Sequence, residues 1–171
     1  MKLAALKSPE ALKNCREAEL ITLAEEIRAC IIDTVQQNGG HLASNLGVVE
    51  VTVAIETVYD TAKDRLVFDV GHQSYVHKLL TGRQAAFERL RMFEGMSGFP
   101  KPHESDTDSF VAGHASSSVS IALGMAREGK LTPAYFLGAG TVAALGWTGG
   151  TAMGALAGSV LPLSVRAALG V

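Results

Sequence analysis

Beyond Lys130 the chain carries a single charge, Arg166, and this break limits what the whole can fold into. All 17 acidic residues, and all but one of the 15 lysines and arginines, lie before that point. Residues 1–130 thus have the mixed surface of a globular domain, and residues 131–171 read as a Gly/Ala-rich apolar tail of different character. In the tail, Gly146, Gly150, Gly154 and Gly158 form one smooth stripe if the segment is helical. Small residues at that spacing are what close-packed membrane helices use. Residues 131–165 carry no charge, and a bilayer span needs only about 20 such residues. A buried strand and helix of a soluble core would have the same composition, so both readings stand.

At 171 residues the chain is about one domain by length, with enough material for a sizeable core. A net charge of −2 and a pI near 6.2 provide no basic footprint for nucleic acid. Cys15 and Cys30 match no metal-ligand spacing and read as reduced packing residues, which fits a cytoplasmic setting. The opening "MKLAALKSPEALKNCREAEL" is too charged for a signal peptide.

Ser8-Pro9-Glu10 is a helix start, and the helix is expected to run to Gln37 with a break near Arg16-Glu17. Leu20, Leu23, Ala24, Ile27, Ile31 and Val35 make its apolar stripe. Asn38-Gly39-Gly40 stops it. "LGVVEVTVAIETVYD" suits a strand by its β-branched residues and a helix by its length. "RLVFDV" reads as a buried strand, while "HQSYVHKLLTG", "RQAAFERLRMF" and "ASSSVSIALGMAREGK" read as helices. "GMSGFPKPHESDTDSFVAGH" between the last two is a long loop, functional or mobile. Strands alternating with helices imply an α/β fold with a parallel sheet.

Three histidines each follow a glycine: His41, His72 and His114. His72 lies where the expected strand passes into a helix, the edge at which open α/β sheets bind ligands. His114 precedes a helix start whose free N–H groups and hydroxyls suit a phosphate. His77 and His103 read as surface or hinge residues. Asp106 and Asp108 could ligate a metal, but "ESDTDS" reads better as a solvated loop with local turn chemistry. No Walker loop, dinucleotide fingerprint or nucleophile elbow is present.

"GGHLASNLGVVEVTVAIETVYDTAKDRLVFDVGHQSYVHKLLTGR", followed by "MSGFPKPHESDTDSFVAGHASSSVSIALGMA", resembles the 1-deoxy-D-xylulose-5-phosphate synthase family over residues 8–130. The resemblance implies a transketolase-like domain that binds thiamine diphosphate and magnesium and forms a homodimer. It also implies a transferase activity, the condensation of pyruvate with glyceraldehyde 3-phosphate with loss of carbon dioxide, on a route to isoprenoids. By the same resemblance His41 assists proton transfer or substrate binding, and His72 contacts the cofactor. Gly113, His114 and Ala115 line the diphosphate end.

The resemblance weakens at the tail. The family continues with a buried strand and a Gly-Asp-Gly motif whose aspartate binds magnesium. Aligned here, "FLGAG" puts Ala139 at that position, and alanine cannot ligate a metal. The family's later domains, with the glutamate that activates the cofactor, do not occur in these 171 residues. The tail is also similar to part of a branched-chain amino-acid exporter family linked to azaleucine resistance. The expectation is a truncated synthase domain over residues 1–130, inactive alone, joined to a tail able to associate with membrane. The alternatives are a chimeric membrane-associated protein and a residual phosphate-binding module.

Overall fold

The computed structural model describes residues 2–127, and the chain divides into two compact units, residues 1–118 and 119–171. The readings made for the tail (a Gly-striped helix, a bilayer span, Ala139 in place of the metal aspartate) concern residues 131–171 and lie outside the described residues. Among the described residues, no helix is long and apolar enough to cross a membrane.

In the first unit two short 3-10 helices, Leu3–Ala5 and Pro9–Asn14, precede the α-helices. These are α1 (Glu17–Asn38), α2 (Leu42–Leu46), α3 (Val49–Val58), α4 (Tyr75–Leu80) and α5 (Gln84–Phe87), with α6 (Ser118–Ala126) starting at the boundary. The break expected near Arg16 is present: Cys15 and Arg16 are extended, and the Glu19 carboxylate accepts the Arg16 N–H at 3.1 Å to start α1. Leu23, Ala24, Ile27 and Ile31 are buried, and Leu20 and Val35 pack at the margin of the same core.

The ambiguous β-branched run folds as helix α3, and its buried positions explain why. Val49, Thr52, Val53 and Glu56 recur at i, i+3, i+4 and i+7, which is one face of a helix. Thr52 and Thr57 donate their hydroxyls to the carbonyls of Val48 and Val53, so neither competes for other partners.

Two expectations are not met among the described residues. The parallel sheet is not formed among the described residues: residues 65–70 have no neighbouring strand there, so no ladder closes, and they run as a connection between α3 and α4. The helix expected over "RQAAFERLRMF" ends after Phe87. Arg91 and Glu94 take positive φ, and the turn closes through Met96 N–H to Arg89 O at 3.1 Å and Arg91 N–H to Met96 O at 2.7 Å.

His77 and Asp108 also depart from expectation, because both are buried. His77 Nδ1 lies 2.5 Å from Glu56 Oε1, and its Nε2 lies 3.1 Å from Asp108 Oδ1. Asp108 accepts two hydrogen bonds from Arg83, at 2.9 and 2.8 Å, and the Lys101 N–H at 2.6 Å. Glu104 accepts the Lys78 ammonium at 2.5 Å and the Ser97 N–H at 2.8 Å. Buried charge demands such pairing, since an isolated ion there would be very costly. The long loop is thereby stapled to α4 through Glu104 and Asp108. Asp106 and His103 do face solvent, and Ser105 and Thr107 make the local turn bonds.

The cluster predicts a stability optimum in mildly acidic solution. Burial opposes charging of His77, but its hydrogen bonds to Asp108 and Glu56 win and raise it above 6.5, so its contribution is complete below that value and lost as pH rises through the folded value. Burial opposes ionisation of Asp108 as well, yet His77, Arg83 and the Lys101 N–H hold it far below 3.8, so its contribution is present above 3.8 and lost in stronger acid. The part of the urea midpoint that depends on His77 and Asp108 should therefore be greatest between these limits, while Lys78, held below 10.5 by burial, acts in the opposite sense in alkaline solution. In His77→Gln the decline on the alkaline side should disappear; a midpoint that keeps the same alkaline fall would count against the pairing.

Candidate functional site

Two loops bring His41 and His72 together, and glycine geometry explains how. After α1, Gly39 and Gly40 take φ of 74° and 149°. A Cβ on Gly40 would lie 2.9 Å from Tyr75 Oη and 3.3 Å from Val35 Cγ2, so only glycine lets the chain pass this closely. His41 then caps α2.

His72 follows a strained turn. Val70 sits at φ 69°, an uncommon conformation for a β-branched residue, and Gly71 at φ 92°. The Gln73 side chain closes this turn, accepting the Gly71 N–H at 3.2 Å and donating to Asp69 O at 2.8 Å. A Cβ on Gly71 would lie 2.8 Å from Pro100 Cδ, so the stapled loop presses directly on this turn.

The imidazoles of His41 and His72 meet edge to face, with centroids 5.0 Å apart, and Phe99 lies 6.2 Å from the His41 ring. Asn45, fully buried, donates to His41 O at 2.6 Å and His72 O at 2.8 Å and accepts the Tyr75 N–H at 2.9 Å. Burial, then the nearby His72 and Arg91, push His41 below the ordinary imidazole value, so it is neutral at neutral pH and able to accept a proton. His72 Nδ1 is buried with no hydrogen-bond partner in the structure. Such an atom fits a ligand that completes its bonding.

The third expected segment is arranged differently. The free N–H groups expected after His114 are in use: Asp69 accepts the N–H of Ser116 at 3.1 Å and of Ser118 at 3.3 Å. These backbone bonds hold the Asp69 carboxyl below its usual range despite the cost of burial. In this structure the acid thus engages N–H groups at the helix start. Gly113, His114 and Ala115 are exposed beside it, and no atom would meet a Cβ on Gly113 within 4 Å.

Among the described residues no group of three or more His, Cys, Asp or Glu side chains is placed to hold a metal ion. Both Asp108 oxygens are committed to the ionic cluster. Among the described residues, the unpartnered His72 Nδ1 beside His41 is suited to an organic ligand.

The sequence singled out His41 and His72, which the structure brings together, but not Asn45, Tyr75 and Phe99 beside them. One signal was available: Asn45 lies in an uncharged stretch otherwise made of small and apolar residues, where a buried amide must find partners.

A family model described as 1-deoxy-D-xylulose-5-phosphate synthase matches residues 3–160, extending past the compositional break at 130/131. A protein of that name from Desulfitobacterium hafniense is 55% identical over 129 residues, covering 75% of this chain and 20% of the relative. One from Syntrophotalea carbinolica is 53% identical over 156 residues, covering 88% of this chain and 24% of the relative. One from a Geobacillus strain is 48% identical over 161 residues, or 91% of this chain and 25% of the relative. The chain thus spans about a fifth to a quarter of the length of the curated relatives it matches.

Proposed function

Because the chain belongs to the 1-deoxy-D-xylulose-5-phosphate synthase family, we propose that it carries the N-terminal part of a thiamine-diphosphate site. In this reading His72 contacts the cofactor, and His41 binds substrate or moves its proton. Bound thiamine diphosphate supplies the electron sink that lets pyruvate lose carbon dioxide before joining glyceraldehyde 3-phosphate. The chain's own contribution is narrower. His72 offers a buried, unpartnered nitrogen to hydrogen-bond and orient a ligand, and His41 presents a neutral imidazole 5.0 Å away that can take up a proton. The observation that carries the reading is the unpartnered His72 Nδ1 beside His41.

By itself the chain is proposed to be inactive in forming 1-deoxy-D-xylulose 5-phosphate and to bind the cofactor weakly. What supports this is the resemblance, which sets Ala139 of "FLGAG" against the family's magnesium aspartate. Titration calorimetry tests this. Weak binding of thiamine diphosphate is expected, little changed by magnesium and lost in His72→Ala. Micromolar affinity that collapses on adding chelator would show a metal site and overturn the proposal.

A further inference from the structure

We propose that Asn45 is the positioning residue that sets the separation of His41 and His72; this rests on reading those two histidines as the site. Its side chain is fully buried, and every hydrogen-bonding group on it is used. Nδ2 gives one hydrogen to His41 O at 2.6 Å and the other to His72 O at 2.8 Å. Oδ1 accepts the Tyr75 N–H at 2.9 Å, at the first residue of α4. One planar amide thus links the backbone of the loop after α1 to that of the turn before α4.

The amide can point only one way. Flipped, its oxygen would face two carbonyl oxygens and its nitrogen would face an N–H. The same logic excludes other residues. Aspartate has no donor, serine has a single one, and leucine matches the shape but leaves two part-buried carbonyls and one buried N–H without this partner. Tyr75 adds a second strap, its Oη accepting the His41 N–H at 3.3 Å. Asn45 touches no reacting group in this account; it acts through the two backbones.

The test uses Asn45→Leu in the full chain, which removes all three bonds without adding charge. The expected results are loss of the nuclear Overhauser effect between the His41 and His72 rings and a rise of the His41 titration midpoint toward the ordinary imidazole value. Ile27→Ala, a core variant that also costs stability, should keep both the ring contact and the midpoint. A folded Asn45→Leu chain that retains the ring contact overturns the proposal, as does loss of that contact in Ile27→Ala. Should Asn45→Leu not fold, the intact chain decides. Scalar couplings across the hydrogen bonds from Asn45 Nδ2 to both carbonyl carbons support the assignment, and absence of either overturns it. Thiamine diphosphate titration of the unaltered chain is read separately: failure there removes the functional reading and leaves the ring-contact result standing.

Discussion

Asp108→Ala is expected to lower stability by about 3–5 kcal/mol, the loss typical when one partner of a buried ionic network is removed. Asp108 is the acceptor on which three donors converge. Arg83 gives it two hydrogen bonds, His77 one and the Lys101 N–H another, and the Asp108 side chain is wholly buried. Truncation leaves Arg83 and Lys78 with Glu104 as their remaining shared acid, 4.0 Å from Arg83, and among the described residues only Glu56 stays paired with His77. The loss is a large share of the roughly 5–15 kcal/mol that a domain of this kind commands. Urea unfolding of the two proteins side by side measures it. A difference below about 1 kcal/mol would place Asp108 on a solvated surface, where ion pairs are worth that little.

Gly71→Ala is expected to cost about 2–5 kcal/mol, through two effects at one atom. The backbone at φ 92° is open to glycine and strained for alanine, which adds roughly 1–2 kcal/mol. The new Cβ would also lie 2.8 Å from Pro100 Cδ, deep inside normal contact, and overpacking of this sort costs about 1–3 kcal/mol. Relief requires either the turn or the loop to move. The turn carries His72, and the loop carries Phe99, 6.2 Å from His41. The variant should therefore lose both stability and the His41–His72 ring contact. Chemical denaturation gives the first and the cross-ring nuclear Overhauser effect gives the second; a Gly71→Ala chain matching the parent in both would contradict the geometry.

What the sequence disclosed follows from which forces act locally. The α1 stripe was legible because a single helix face carries it, and the stop at Gly39 was legible because glycine alone tolerates the turn. His41 and His72 stood out as Gly-His pairs, and the structure brings them together. The His77–Asp108 pair was illegible because 31 residues separate its members, and no local pattern reports a partner at that range. Glu56 held a clue. An acid at the i+7 position of a buried face, after Val49, Thr52 and Val53, implies a buried cation or imidazole opposite it. The bond from Asp69 to the start of α6 was illegible for a similar reason, since Asp69 is remote in sequence from the N–H groups it accepts. The expected strand at 65–70 shows a further limit, because a strand is defined by a neighbour and none lies among the described residues.

The central claim, that His41 and His72 act as one cofactor-facing pair, is tested most directly by imidazole resonances of the full chain during titration with thiamine diphosphate. The account predicts that the His41 and His72 signals move together with one weak affinity, little altered by magnesium, while the exposed His103 stays fixed. Signals of His41 and His72 that stay still at millimolar cofactor, or that move with different affinities, would contradict it.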